Sequence, residues 1–458
     1  MTFQKNILCI GAGYVGGPTM AMIANKCPEC RVTVVDIDPE RIAAWNSKNL
    51  PIYEPGLDKL VRASRGRNLF FSTDIEKGIR ENDIIFVSVN TPTKSFGLGA
   101  GMAADLQYWE KTARQILLFS QSSKIVIEKS TLPVKTALAM ERILNSKKSK
   151  VRFDVLSNPE FLAEGSAMHD LEFPDRVLIG SHEDAWGKKA RQVIVAVYLH
   201  WVSKERIITS NIWSSELSKL VSNAFLAQRV SSINAISALC EKTEADVAEV
   251  SRAVGMDNRI GPKFLTASIG FGGSCFKKDI LNLVYLCRTQ GLNEVADYWQ
   301  MVLAVNDYQK ERFIQNMLAA MFNTLAGKKI CLWGFAFKAN TGDTRESPAI
   351  FIAKRLLEEK AAINISDPKA LKNARKDLDG CNGLINYIED PYEAASGCDA
   401  IAVMTDWDIY RRLDFPRIFD GMEKPAFIFD GRNTLDHRQC FKIGFNVYPI
   451  GKAPLTHF

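Results

Sequence analysis

The chain has 458 residues, 47% of them hydrophobic and 24% charged, and carries a formal net charge of +6. That length predicts two or three domains, each with its own core. A small, dispersed positive charge suits anionic small ligands and excludes the basic stripe of a nucleic-acid binder; no apolar run is long enough to cross a membrane, and the absence of a signal-peptide pattern points to the cytoplasm.

Ten cysteines are scattered along the chain, several inside apolar runs, and five histidines stand in no motif. In a reducing compartment the cysteines should be thiols. The only C-x-x-C, Cys27-Pro28-Glu29-Cys30, lacks a second pair or clustered histidines. It reads as a loop between helix and strand, and no metal is expected.

In chain order, Asn6 to Ile10 reads as a strand, followed by Gly11-Ala12-Gly13-Tyr14-Val15-Gly16, a helical stretch Pro18 to Ala24, and a second strand Arg31 to Asp36. Strand, glycine turn, helix and strand, closed by an acid, make a dinucleotide-binding unit. The glycines allow a tight turn and close approach to a pyrophosphate, and Asp36 would accept hydrogen bonds from ribose hydroxyls. A carboxylate there disfavours a 2′-phosphate, so NAD is expected rather than NADP, with Arg41 close by. Further strands are predicted at Leu69 to Ser72, Asp83 to Val89, Lys124 to Glu128 and Val151 to Leu156. Three of them end in polar loops, at Asn90 to Thr93, Lys129 to Thr131 and Ser157 to Glu160. Ligands of such sheets bind beyond the strands' carboxyl ends.

From Trp213 to Glu241 the pattern is helical without glycine or proline. It predicts a spine of roughly 40 Å, joining two domains and offering an oligomer contact. Lys219 and Asn223, four apart, share a face and could aim donors at an oxyanion. A second alternating unit begins at Lys329 to Gly334 and continues through Ala362 to Ile365, Ala400 to Met404 and Ala426 to Asp430; Ser347-Pro348 reads as a helix start. Lys338, Arg345 and Arg432 are cations at strand ends, suited to another phosphate-bearing group. The fold expected is α/β: two Rossmann-like doubly wound domains joined by a long central helix, with boundaries at 1–212, 213–325 and 326–458.

Between the units lies Gly270-Phe271-Gly272-Gly273-Ser274-Cys275-Phe276-Lys277-Lys278-Asp279. A helix starting near Ser274 would put Cys275 in its first turn and Asp279 one turn on. The helix N-terminus and the cations Lys277 and Lys278 would favour a thiolate. A buried, inert cysteine after a glycine loop is the alternative.

These stretches, with Leu50 to Leu57, Val89 to Thr93, Glu128 to Thr131, Asn158 to Gly165, Glu216 to Leu220, Gly342 to Ser347 and Asp430 to Arg432, resemble the UDP-glucose/GDP-mannose dehydrogenase family nearly end to end. The resemblance is to its animal-type UDP-glucose 6-dehydrogenases. It implies four-electron oxidation of UDP-glucose to UDP-glucuronate with two NAD per turnover. It implies Cys275 as nucleophile, with Lys219, Asn223, Asp279, Glu160 and Thr131 as further catalytic groups. Glu160, Phe161, Leu162, Ala163, Lys219, Asn223, Phe271, Gly272, Phe337, Lys338 and Arg432 would meet UDP-glucose, and Arg259 would reach a neighbouring subunit's site. NAD would touch Gly11, Ala12, Gly13, Tyr14, Val15, Gly16, Asp36, Arg41, Val89, Asn90, Thr91, Pro92, Thr93, Ser130, Glu164, Lys278 and Arg345. Feedback inhibition by UDP-xylose through the Thr131 loop, and homodimers building a hexamer, are also implied. The chain departs from animal members at Thr266 (lysine there), at Ala339-Asn340 (Lys-Asp), at Asn433 (a second arginine) and in lacking a basic C-terminal extension. Another nucleotide-sugar 6-dehydrogenase, or an idle UDP-sugar-binding regulator, would share much of this pattern.

Overall fold

The computed structural model describes residues 3–146 and 151–458. The chain divides into two compact units, Met1–Ser222 with Leu281–Gly291, and Asn223–Ile280 with Leu292–Phe458. The first holds an eight-stranded sheet of β1 (Lys5–Ile10), β2 (Cys30–Val35), β3 (Leu69–Ser72), β4 (Ile84–Val87), β5 (Lys124–Glu128), β6 (Phe153–Ser157), β7 (Val177–Ser181) and β8 (Ile207–Asn211). Its order is β3-β2-β1-β4-β5-β6-β7-β8. All neighbours are parallel except β6 and β7, which meet antiparallel at Ser157 and Gly180. In β1, Ile7 and Cys9 enter the core on one face of the sheet and Leu8 and Ile10 the core on the other. That alternation is why both faces must be covered by helices. The order reverses at β1, so the crevice for a ligand opens at the carboxyl ends of β1 and β4.

The second unit repeats the plan with β9 (Lys329–Trp333), β10 (Ala362–Ser366), β11 (Ile385–Tyr387), β12 (Ala400–Val403), β13 (Phe427–Asp430) and β14 (Asn446–Pro449). Its order is β11-β10-β9-β12-β13-β14, parallel throughout, reversing at β9. Ser347 caps the helix Pro348–Glu358, its hydroxyl accepting from the Ala349 N–H at 3.3 Å.

The long helix runs Ile212–Thr243, 32 residues, or about 48 Å at an ideal rise. Leu220, Ala224, Ala227 and Ile233 are buried along it, and Leu217, Phe225, Ile236 and Leu239 are exposed. The fold is therefore the α/β architecture expected: two Rossmann-like sheets and one long central helix.

One buried feature of the first unit has no counterpart in the sequence reading. Glu128, at the end of β5, is 2% exposed, and Glu216 on the long helix is 4% exposed. Glu216 accepts from the Lys135 and Ala137 N–H groups at 2.7 and 2.8 Å. Among the described residues no hydrogen-bond partner reaches either Glu128 oxygen. Burial first, then the Glu216 charge, pushes the Glu128 carboxyl well above the ordinary range; burial also raises Glu216. A carboxyl raised on folding contributes stability that is full below its unfolded value, about 4.3, and is lost as pH rises through the folded value. Glu128→Gln keeps a donor without a proton to lose. Urea midpoints of variant and parent should therefore diverge in the variant's favour between pH 5 and pH 8; parallel pH profiles would show that Glu128 is not protonated.

Candidate active site

The first glycine turn is shaped by two steric limits and one opening. Gly11 has φ of 109°, and a Cβ there would lie 2.3 Å from the Ser88 carbonyl oxygen. A Cβ on Gly16 would lie 2.0 Å from the Gly11 carbonyl oxygen. A Cβ on Gly13 would meet nothing within 4 Å. The open side of Gly13, at the start of the helix Gly16–Lys26, is where a pyrophosphate fits a backbone N–H cradle. Asp36, 7% exposed, accepts from Ala12 N–H at 2.8 Å and Asp38 N–H at 3.0 Å. Arg41 lies 3.1 Å from Asp36 and 3.3 Å from Asp38. Two carboxylates thus hold a cation that could have served a 2′-phosphate, which supports the adenosine diol of NAD.

The strand-end loops of this unit are tied to one another. Thr91 Oγ1 donates to the Thr131 carbonyl at 3.0 Å, and Ser130 Oγ to the Val89 carbonyl at 2.7 Å. Asn90 and Pro92 are exposed, and Thr93 is half-buried and bridges to Ala104. Glu160 sits at the base of the loop after β6. It meets Lys129 Nζ at 3.0 Å and accepts from the Phe161 N–H at 2.8 Å and the Leu162 N–H at 3.2 Å. Burial works to raise the Glu160 carboxyl, but Lys129 and the Phe161 N–H outweigh it and bring it below its ordinary value. Burial works to lower Lys129, and Glu160 and Tyr198 outweigh that in turn. Lys129 Nζ also donates to Asn158 at 3.1 Å and Tyr198 at 3.2 Å. Glu160 is therefore held as a carboxylate, fit to accept a proton. Sequence reasoning places Lys129 and Asn158 in candidate site loops without giving either a partner, and it gives Tyr198 no role.

Phe161 lies near two cations, its ring centroid 3.8 Å from the Arg176 guanidinium and 5.2 Å from Lys219 Nζ. Lys219 is 7% exposed on the long helix. Ala163 N–H donates to Asp170 at 2.9 Å, and Leu162 packs at the edge of the core. Glu164 is half-buried, beside Gly165, whose N–H donates to Glu54 at 2.6 Å.

In the second unit the glycine loop is clamped from two sides. Asn306 Oδ1 accepts from the Phe271 N–H at 2.8 Å and its amide donates back to the Phe271 carbonyl at 3.2 Å. Gly273 N–H donates to the Arg345 carbonyl at 2.8 Å. Phe337 packs on the glycines: a Cβ on Gly272 or Gly273 would come within 3.0 Å of it. The helix that follows is Phe276–Thr289, so Cys275 stands just before its first turn rather than inside it. Its carbonyl accepts from the Asp279 N–H at 2.9 Å, so Cys275 holds the cap position of that helix. All ten cysteines are free thiols and Cys275 is the one exposed; its Sγ lies 3.5 Å from Ser274 Oγ.

Asp279, completely buried, accepts from Asn223 Nδ2 at 2.5 Å and faces Lys278 Nζ at 3.0 Å. The expectation that Lys277 and Lys278 both serve the thiol is corrected: Lys277 pairs with Glu346 at 2.8 Å and Lys278 with Asp279. Each ammonium gains more from an anion in contact than from a neighbouring thiol. Arg345 is likewise taken by Asp343 at 2.5 Å. Arg432 donates to the Met404 carbonyl at 2.8 Å and the Phe337 carbonyl at 2.7 Å, and burial lowers its proton affinity. Lys338 lies 5.6 Å from the Phe337 ring centroid. Arg259 is exposed and paired with Asp257 at 2.7 Å. The nucleophile candidate, Asn223, Asp279, Phe271, Gly272, Phe337, Lys338, Arg432 and Arg345 thus belong to the second unit, and the glycine cradle, Glu160, Phe161 and Lys219 to the first.

Three domains described for one family match in succession: an NAD binding domain over residues 5–202, a central domain over 213–308 and a UDP binding domain over 331–437. The chain belongs to the UDP-glucose/GDP-mannose dehydrogenase family. It is 59% identical to UDP-glucose 6-dehydrogenase 5 of Oryza sativa subsp. japonica and 58% identical to UDP-glucose 6-dehydrogenase 1 of Arabidopsis thaliana, each over 97% of both chains. Among solved structures it is similar to a UDP-glucose dehydrogenase of the archaeon Pyrobaculum islandicum, with a TM-score of 0.86, 30% identity, and 99% and 98% of the two chains covered. These plant relatives correct the animal-type resemblance: the family is borne out, and the animal type in particular is not. Among the described residues no helix is long and apolar enough to cross a membrane.

Proposed function

We propose that this protein oxidises UDP-glucose to UDP-glucuronate, reducing two NAD per turnover. The observation that carries this is Cys275: the one exposed cysteine of ten, at the mouth of a helix, after a glycine loop held by Asn306 and Arg345. NAD, when bound at the first glycine turn, accepts hydride. The C6 alcohol loses a hydride and a proton and becomes an aldehyde. The Cys275 thiolate adds to the carbonyl carbon and forms a thiohemiacetal. Loss of a second hydride and a proton gives a thioester, and water hydrolyses it, releasing carboxylate and thiol. Covalent capture keeps the aldehyde from escaping between the two oxidations. Glu160, held ionised by Lys129, is the base that activates that water. Lys219 and Asn223 stabilise the oxyanion, and Asp279 fixes the Asn223 amide.

Phe161 to Ala163, the glycine loop, Phe337, Lys338 and Arg432 take the nucleotide sugar in this reading, and Thr131 and Arg345 border the NAD. Boundaries at 1–212, 213–325 and 326–458 follow from the same reading, as do cytoplasmic residence and inhibition by UDP-xylose. Exposed Leu217, Phe225, Ile236 and Leu239 on the long helix support self-association, by homodimers building a hexamer. The decisive assay counts NADH against sugar. Two NADH per UDP-glucose consumed is expected, with no such yield from GDP-mannose. One NADH would indicate a simple alcohol dehydrogenase, and none with tight UDP-glucose binding would indicate a regulator.

A further inference from the structure

We propose that Cys27, Glu29 and Cys30 form a binding site for a thiophilic divalent cation of the zinc class, with His200 holding the Glu29 carboxylate over the two thiols. The three donor atoms lie within 4.8 Å of one another. Two sulfurs on a tetrahedral zinc, at bonds of about 2.3 Å, stand about 3.8 Å apart, so the set needs only a small contraction.

The backbone is already fixed for this. Cys27 ends the helix Gly16–Lys26, its N–H bonded to the Ile23 carbonyl. Cys30 opens β2, and its N–H donates to the Cys27 carbonyl at 3.0 Å, closing a turn across the four residues. The buried Asn68 amide locks that turn from beneath, with contacts to the carbonyls of Ala24 at 2.8 Å, Cys30 at 3.0 Å and Cys27 at 3.3 Å. Both cysteines are at most 1% exposed, yet Glu29 keeps 27% of its side chain exposed. The carboxylate is the way in for an ion.

The second observation is the histidine. His200 Nδ1 lies 2.9 Å from the Ala196 carbonyl and 3.0 Å from the Val197 carbonyl. Carbonyl oxygens only accept, so Nδ1 carries a hydrogen and the ring orientation is fixed. Its Nε2 faces Glu29 Oε1 at 3.0 Å, and the Cys30 thiol lies 3.6 Å from the same oxygen. A histidine whose Nδ1–H is fixed by backbone carbonyls while Nε2 faces a carboxylate is the outer support that metal sites use. Val197 joins the two halves, since its carbonyl also takes the Cys27 thiol at 3.7 Å.

The test uses the full-length, reduced, metal-free protein and Co(II) as probe, with Zn(II) as competitor. The parent should take up one equivalent that shows thiolate-to-cobalt charge transfer and tetrahedral visible bands, and zinc should displace it. Cys30→Ser should lose that equivalent, whatever Cys275 binds elsewhere. Glu29→Gln, at a partly exposed position that folding tolerates, should weaken it roughly tenfold or more. Saturating zinc should raise the parent's melting temperature by roughly 5 °C at ~100 times its Kd and leave Cys30→Ser unmoved. Equal cobalt uptake and spectra in parent and Cys30→Ser would overturn the site. So would a Cys27–Cys30 disulfide in the isolated protein with no metal uptake after reduction, which assigns the pair to redox chemistry. The NADH count above is independent of either result.

Discussion

Cys275→Ala is expected to abolish release of UDP-glucuronate, with turnover lower by roughly 10⁴-fold or more, the scale seen when a covalent nucleophile is removed. The variant should fold, because Cys275 is exposed and the loop before it is held by Asn306 and by the Arg345 carbonyl, none of which involves the sulfur. NAD should still bind at the glycine turn, in the other compact unit. Any residual NADH should then stop near one per sugar, because the aldehyde has nothing to hold it for a second oxidation. Rapid quench with mass detection of the sugar checks this. Undiminished glucuronate from the alanine variant would sink the covalent scheme while leaving the fold reading intact.

Lys219→Ala is the second large effect. Removing one oxyanion donor costs about 10²–10³ in turnover. Lys219 is 7% exposed and stands against the Phe161 ring, so its loss also opens space beside a residue proposed to meet substrate. The separating readout is cofactor affinity. NADH titration by fluorescence should give a Kd close to the parent's, since the cradle at Gly13 and Asp36 is built from other contacts. A fall in kcat with NADH affinity kept would assign Lys219 to the chemistry; unchanged kcat would remove it. Arginine should not restore the rate, because a planar fork does not replace a compact ammonium.

Much of the fold is legible because buried parallel strands are continuous apolar runs. Leu69–Ser72 and Lys124–Glu128 begin and end where the sequence pattern places them, and the long helix extends only one or two residues past each expected end. Two strands that escape the pattern have physical reasons to. Ile207–Asn211 is an edge strand with mostly exposed side chains, and Ile385–Tyr387 is three half-buried residues. Val177–Ser181 and Asn446–Pro449 are largely buried strands that the sequence reading leaves out. The site is legible where spacing carries chemistry, as at Gly11 to Gly16 and before Cys275. It is illegible where partners are far apart in sequence. Nothing local links Lys129 to Tyr198, or Glu128 to Glu216, and the ion pairs of Lys277 with Glu346 and of Arg345 with Asp343 are not readable from spacing as chemistry.

The three glycines of the first turn do not answer to the same selection. Gly11 and Gly16 are demanded by the polypeptide itself, since a methyl group at either collides with a carbonyl oxygen. Gly13 faces empty space, so the apo chain tolerates alanine there; only an occupant forbids it. In a library sorted for expression or heat resistance, Gly13 would drift to alanine while Gly11 and Gly16 stayed fixed. In one sorted for growth on the reaction product all three would be kept. The difference between the two surviving populations would read out the cofactor's footprint without any ligand being added.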